Sequence, residues 1–470
     1  MSAGKASGFK QSASIYFVLL ISVAAALGGF LFGFDTAVIN GAVVALGDHF
    51  NVGPVLVGMS VSLALIGSAF GALLSGPVSD RYGRIKPMLI SALLFTASGV
   101  GSGLPFSVWD FIFWRFMGGV GIGLSSAITP AYIAEISPAS LRGRFGSLQQ
   151  LAIVAGIFVA MLSNYTLVEF AGGSADNELW LGVEAWRWMF WAEVPPALIY
   201  GFAALMIPES PRYLIGTGRE KEAGHILGRV LGESVVEKIE EIKFTLKAEG
   251  QASFAAIKGK AGLKPVVWVG LGLSVLQQFV GINVIFYYGS MLWRSVGFSE
   301  ENSLWITVIT GVVNIVTTLV AIALIDRVGR KPLLLAGSLG MIVTLGILAY
   351  LFGNAPLDSS GHPVLHGASA TTALYSANLY VFCFGFSWGP VVWVLLGEMF
   401  NNRIRASALA LGTGAQWVAN FIVSASFPSL VQWAGLGVTY SIYAFFAVLS
   451  FFFVLFCLRE TSGRELEDME

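Results

Sequence analysis

From His49 to Ser79 the chain has no Asp, Glu, Lys or Arg, and such runs recur: Pro87 to Trp109, Phe145 to Val168, Pro265 to Trp293, Asn302 to Ile325 and Pro332 to Leu357 are equally free of charge. A helix needs about 20 apolar residues to cross the roughly 30 Å hydrocarbon layer of a bilayer, so each run fits one span. Four further spans include a polar interruption or attached loop: the first around Asp35, the fourth after Arg115, the sixth around Glu193 and the tenth ending near Glu398. Ala406 to Leu458 is uncharged throughout and long enough for two spans, with a turn at Gly435-Leu-Gly437. Twelve spans result. A hydrophobic fraction of 56 %, a charged fraction of 12 % and a mean hydropathy of +0.75 exclude an ordinary soluble domain of this length. The fold class is an all-α membrane protein.

All but three of the 27 Lys and Arg residues, namely Arg115, Arg187 and Arg294, fall on one side if the N-terminus is cytoplasmic. The positive-inside bias therefore places both termini in the cytoplasm of a multi-pass protein of the cell membrane. The polar N-terminal segment runs to Ser14 and straight into a full span bearing Asp35, so no cleavable signal peptide is expected. Cys383 and Cys457 both fall within spans, and neither they nor the net charge of -1 point to a partner or a redox compartment.

One long hydrophilic stretch, Glu209 to Lys264, separates six spans from six and has helix-period segments, reading as a cytoplasmic linker of short amphipathic helices. The expected organisation is residues 1–208, a first six-helix bundle; 209–263, the linker; and 264–470, a second bundle. The halves repeat each other. Asp80-Arg-Tyr-Gly-Arg84 after the second span returns as Asp326-Arg-Val-Gly-Arg330 after the eighth. Glu135 and Arg142 after the fourth return as Glu398 and Arg405 after the tenth, and Pro208-Glu209-Ser-Pro-Arg212 answers to Arg459-Glu460-Thr-Ser-Gly463. All three features return on the same face. That makes a parallel repeat about an axis along the membrane normal, a transporter architecture.

Glycine in Asp-Arg-x-Gly-Arg permits a tight turn, and the acid is placed to cap a neighbouring helix while the arginines stay hydrated. Glu135 with Arg405, and Glu398 with Arg142, suit pairs between the halves that form only when the cytoplasmic side is shut; static stapling of that side is the alternative. A charge inside the membrane costs at least about 2.5 kcal/mol, so Asp35, Arg115 and Glu193 each need a reason. If Asp35 and Arg115 face each other, a proton on Asp35 releases Arg115, a coupling switch; a permanent structural pair is the other reading. Glu193 beside Pro195-Pro196 fits either a functional role or bonds to backbone freed by the prolines.

Sugar hydroxyls donate and accept, so amide side chains match them, and a flat aromatic covers the apolar face of the ring. Such groups concentrate in the second half: Gln277-Gln278-Phe-Val-Gly-Ile-Asn283 and Tyr287-Tyr288 in the seventh span, Asn314 in the eighth, Gly389-Pro390-Val-Val-Trp393 in the tenth, Gln416-Trp417 and Asn420 in the eleventh. Gln149 and Gln150 lie in the first half. Lone membrane amides commonly serve as glue between helices; so many near mid-span favour a cavity. Gln277 and Gln278 point about 100° apart and are not expected to line one cavity through the same face. Gly389-Pro390 is the expected break in the tenth helix, fit for a gate.

Taken together, Gly33-Phe-Asp35-Thr, Arg115, Asp80-Arg-Tyr-Gly-Arg84, Pro208-Glu-Ser-Pro-Arg212, the seventh-span glutamines, Gly389-Pro390-Val-Val-Trp393 and Gln416-Trp417 resemble the sugar porter family of the major facilitator superfamily. Within it the pattern is most similar to the xylose-proton symporters and the glucose facilitators. The resemblance implies two six-helix bundles around a central cavity and alternating access by rocking. It implies Gln150, Gln277, Gln278, Asn283, Asn314, Trp393, Gln416 and Trp417 as sugar ligands, Tyr287 and Tyr288 near the outer gate, Asp35 as proton acceptor and Arg115 as its partner. Facilitators of the family generally lack an acid at the Asp35 position, which favours coupling. Ile157 stands where the xylose symporters have a further glutamine, which puts glucose ahead of xylose.

Three functions stay open: proton-sugar symport, facilitated diffusion and sugar sensing. The tails are short for a sensor. An enzyme is not expected: His49, His225, His362 and His366 are scattered, assigned to loops, and no metal-ligand cluster or phosphate-binding loop occurs. The expected partners are a monosaccharide, a proton and membrane lipid, with no nucleic acid, no metal and no cofactor, and the protein is expected to be monomeric.

Overall fold

The computed structural model describes residues 3–138, 142–231, 235–248, 257–259, 262–357, 363–400, 404–458 and 460, with the side chains of 3–14, 142–144, 146, 231, 247–248, 259, 326 and 405–406 left out. The first half comprises α1 (Ala3–Phe50), α2 (Pro54–Tyr82), α3 (Ile85–Gly103), α4 (Val108–Ile136), α5 (Arg142–Phe170), α6 (Ala185–Trp191) and α7 (Val194–Met206). The linker follows as α8 (Pro211–Gly216), α9 (Glu220–Leu231), α10 (Val235–Ala248) and a hairpin of β1 (Lys258–Gly259) with β2 (Gly262–Leu263). The second half comprises α11 (Pro265–Phe279), α12 (Ile282–Arg294), α13 (Glu300–Val328), α14 (Arg330–Gly353), α15 (Gly367–Gly385), α16 (Trp388–Glu398) and α17 (Arg405–Cys457).

Eleven stretches of the described residues are long and apolar enough to span. The last of them, Ser407–Cys457, turns at Gly435, whose φ of 78° suits glycine, and so crosses twice. Twelve spans and the predicted turn position both hold. Three spans are broken. The sixth breaks between α6 and α7 at Glu193; the seventh between α11 and α12, where Gly281 takes φ 83°. The tenth breaks at Phe386-Ser387, between α15 and α16. Gly389-Pro390 was expected to be that break, but the two sit in the first turn of α16. There a proline costs no hydrogen bond, because the opening N–H groups of a helix have no acceptor within it.

Helix backbones in the first half lie in direct contact. A Cβ on Gly33 of α1 would run into the Ile153 carbonyl of α5, and one on Gly119 of α4 into the Ala64 carbonyl of α2. Lipid offers no hydrophobic drive between helices, so such small-residue seams gain dispersion contact instead. The linker forms a small core of Leu214, Ile215, Ala223 and Leu227. It docks on the first half: the Arg229 guanidinium lies 3.8 Å from the centre of the Phe17 ring. The β-hairpin was not foreseen, and of the histidines assigned to loops, His49 closes α1 and His225 lies within α9.

The repeated Asp-Arg-x-Gly-Arg loops differ from expectation in two respects. Arg81 is exposed, but the Arg84 side chain is only 11 % exposed and Arg330 10 %. Arg84 pairs with Glu135 at 2.7 Å and donates to the Ser79 carbonyl, while Arg330 pairs with Glu398 at 2.8 Å and donates to the Ile325 carbonyl. Holding the free carbonyls at a helix end repays the desolvation of the guanidinium. Asp80 stays exposed, 4.0 Å from Arg84. The helix-capping role falls instead to Glu209, which accepts from the Arg84 and Ile85 amides, and to Glu460, which accepts from those of Arg330 and Lys331. Glu135 also accepts from the Ser210 hydroxyl, and Arg212 lies in α8. The side chains of Arg142, Asp326 and Arg405, and with them the cross-half pairs, lie outside the described residues.

Candidate transport site

Two clusters occupy the interior, one in each half. In the first, Asp35 of α1 and Arg115 of α4 are both buried, and Arg115 Nη1 donates to Asp35 Oδ1 at 2.6 Å while Nη2 donates to the Asp35 carbonyl at 2.9 Å. Gly118 leaves room for the carboxylate: a Cβ there would meet Ser98 and approach Asp35 Oδ1 at 3.3 Å. The Phe190 ring of α6 lies 5.8 Å from the guanidinium carbon. Glu193, at the break of the sixth span, is fully buried, and its carboxyl lies within hydrogen-bonding reach of that of Asp35. It stands close enough to interact electrostatically with both Asp35 and Arg115. One guanidinium cannot neutralise two buried carboxylates, and an unpaired buried charge is expensive, so the cluster holds a natural place for one proton.

In the second half the amides form a connected chain. Asn283 Nδ2 donates to Gln278 Oε1 at 2.6 Å, Gln278 Nε2 donates to Gln277 Oε1 at 3.2 Å, and Gln416 of α17 donates to the same Gln277 oxygen. Gln277 Nε2 donates to the Trp388 carbonyl at 2.8 Å and the Gly389 carbonyl at 3.3 Å, at the start of α16. Gln277 and Gln278 point about 100° apart, yet both amides meet because α11 ends one residue later and Asn283 returns across the Gly281 turn. Asn420 and Ser424 belong to a second set: Asn420 Nδ2 donates to Tyr287 Oη at 3.4 Å, and Ser424 Oγ to Asn420 Oδ1 at 3.1 Å. Tyr288, at a kink in α12, donates to the Ser424 carbonyl at 2.8 Å. Trp417 tilts against Phe32 of the first half, ring centres 6.1 Å apart. Trp393 is 44 % exposed, and Gln150 and Asn314 are partly buried. Gln149, its amide group buried, packs against Gly29 with neither amide atom bonded.

On the side away from the linker the halves are closed on each other beside Tyr287 and Tyr288. Asn40 of α1 donates to the Phe286 carbonyl at 3.0 Å and accepts from the Ser290 amide at 2.9 Å, and Ser290 Oγ donates to the Asn40 carbonyl. Gly58 of α2 lies against the Ala425 backbone of α17. Sequence reasoning left Glu193 undecided and passed over Asn40. A buried acid two residues before a proline pair was the available signal for the first; an ordinary asparagine in an apolar run gave little for the second.

A polar chain and an ion cluster enclosed by two repeated six-helix bundles define a membrane carrier of a polyhydroxylated solute. The chain belongs to the sugar transporter family: residues 21–470 match the family described as "Sugar (and other) transporter". It is 61 % identical to the glucose transport protein of Synechocystis sp., over 98 % of each chain. It is 37 % identical to the D-xylose-proton symporter of Escherichia coli strain K12, over 97 % of this chain and 95 % of that one. Its structure is similar to the inward open conformation of the xylose transporter XylE from E. coli, with a TM-score of 0.82 at 37 % identity, covering 96 % and 99 % of the two chains. The protein is a transporter and not an enzyme.

Proposed function

We propose that the cargo is a monosaccharide, glucose before xylose, and that a proton crosses with it. The single observation that supports coupling is the buried set of Asp35, Arg115 and Glu193, which has one carboxylate more than its cation balances. Protonating Asp35 frees Arg115 to turn to Glu193, so proton and conformation change together. Gln277, Gln278, Asn283 and Gln416, with Gln150, Asn314, Trp393 and Trp417, bind the sugar; its hydroxyls replace the bonds that these amides make among themselves. Glucose is favoured by the 61 % identity to a glucose transport protein and by Ile157. The Asn40 contacts close the face away from the linker, which supports a site that opens inward, with both termini and the linker in the cytoplasm. The protein works as a monomer in the cell membrane.

The test is uptake of radiolabelled glucose and xylose into proteoliposomes, with and without an inward proton gradient, for the wild type and Asp35→Asn. Gradient-dependent accumulation that disappears in Asp35→Asn while sugar exchange survives is expected. Equal equilibration in both conditions would make the protein a facilitator and Asp35–Arg115 a static pair, the second reading, which their complete burial favours.

A further inference from the structure

On the outer face, a carboxylate of the second half grips the backbone of the first. Glu300 stands in the first turn of α13, directly after the Ser299 cap, and its side chain is 11 % exposed. Its Oε1 accepts from the Ala175 amide at 2.9 Å and its Oε2 from the Ser174 hydroxyl at 3.0 Å. Arg294, at the end of α12, pairs with Oε2 at 3.2 Å and fixes the carboxylate's orientation. The gripped segment is itself rigid. Ala175 is fully buried, its carbonyl accepts from the Trp186 amide at 3.0 Å, and the Asn177 carbonyl accepts from the Ala185 amide at 2.9 Å, which ties the segment to the start of α6. Glu300 therefore holds the sixth span to the eighth, not merely a loop tip.

We propose that Glu300 is the latch of the outer gate: its carboxylate must release Ser174 and Ala175 before the two halves part and sugar enters from outside. A charge-assisted hydrogen bond is stronger than a neutral one, and here two, from the Ala175 amide and the Ser174 hydroxyl, end on one side chain. In the outward-facing state water and Arg294 remain to satisfy Glu300, so the latch lets go without stranding a charge. The latch rests on alternating access alone. It needs neither proton coupling nor a particular sugar, so its failure would leave those assignments standing.

The test places a reporter cysteine beneath the closed face. Thr307 is 2 % exposed and its methyl packs against Gly289 beside Asn40. In a background with Cys383 and Cys457 replaced by serine, Thr307→Cys is labelled by a membrane-impermeant maleimide added outside right-side-out vesicles. Glu300→Gln, which keeps the shape but loses the charge and one acceptor, is expected to raise the labelling rate about tenfold, the factor that corresponds to about 1.4 kcal/mol. Ser174→Ala, which leaves the Ala175 bond in place, is expected to raise it about threefold, a loss within the range of a single hydrogen bond. Zero-trans uptake into the same vesicles should shift with the gate, the apparent KM for outside sugar falling in Glu300→Gln. Labelling rates within twofold of the parent in both variants, each eluting as a single peak on size exclusion, would overturn the latch. So would slower labelling in either. If Glu300→Gln does not elute as a single peak, Ser174→Ala alone decides.

Discussion

Glu209 and Glu460 do the same work in the two halves: each carboxylate accepts from two consecutive backbone amides at the start of a helix, Arg84 and Ile85 for α3, Arg330 and Lys331 for α14. Each follows the last span of its half, so each ties the end of one bundle to its middle. The amides at a helix start carry partial positive charge, which makes a carboxylate the fitting partner.

Replacing Glu460 by alanine is therefore expected to destabilise the second bundle by about 1 to 2 kcal/mol, the ordinary size of a lost cap. Thermal unfolding in detergent reads this as a lower Tm, with Glu460→Gln intermediate because an amide oxygen still accepts. An unchanged Tm in Glu460→Ala would show that the tie is incidental.

Glu193→Gln tests the balance of the ion cluster. With Glu193 neutral, Asp35 and Arg115 neutralise each other and the place for a proton is filled by an amide. Gradient-driven accumulation should collapse while sugar exchange persists, a separation seen by comparing uptake with counterflow in proteoliposomes. Loss of both together would mark Glu193 as structural.

The amide chain should behave as a unit. Gln277→Ala and Gln278→Ala each leave partners unbonded, at a cost of about 1 to 3 kcal/mol for each group stranded, so sugar affinity should fall at least tenfold, which is about 1.4 kcal/mol. Calorimetric titration with glucose checks this. Because Gln278 donates to Gln277, the double variant should lose less than the sum of the single losses.

Gly33→Val would force α1 away from α5 at the Ile153 carbonyl. A backbone seam cannot yield as a side chain can, so destabilisation should reach the upper part of the usual overpacking range of about 1 to 3 kcal/mol. Purified yield and Tm report it; a variant as stable as the wild type would mean that the seam opens freely.

Asp176, next to the segment held by Glu300, has its pKa raised, first by burial and then by the Glu300 and Asp48 carboxylates, against the opposing Arg294. An acid held above its ordinary value favours the closed face while protonated, so this contribution is full below the ordinary aspartate range and fades as pH climbs through the raised pKa. Asp176→Asn should keep the outer face closed at neutral pH and flatten that dependence. The check is outside labelling of Thr307→Cys between pH 4 and 8; a slope identical to that of the parent would count against it.

Much of this protein is legible in its sequence because lipid punishes ambiguity. Twelve spans follow from where charge is absent, and the Gly435 turn from the length of the last run. The contact of Asp35 with Arg115 follows from the cost of leaving either alone in the membrane. Glu135 pairs with Arg84 and Glu398 with Arg330, each within its own bundle, and spacing alone gave no sign of it, because a repeat offers each acid equivalent arginines in both halves. The tenth-span break was misplaced for a similar reason. Gly-Pro marks a place where a helix tolerates interruption, but the kink fell at Phe386-Ser387, whose chemistry gives no warning. Glu193 was visible as an acid and invisible as a neighbour of Asp35, since its position depends on how α6 and α7 bend.

The duplicated halves have become specialists. Among the described residues, the acids and the guanidinium buried at mid-membrane, Asp35, Arg115 and Glu193, belong to the first, and the connected amides from Asn283 to Gln416 belong to the second. Among the described residues no hydrogen bond joins the ion cluster to these amides, so a proton taken up by the one would reach the other through a change of shape. Phe32, one helical turn from Asp35, leans on Trp417, the neighbour of Gln416, so the two halves meet ring to ring between the clusters.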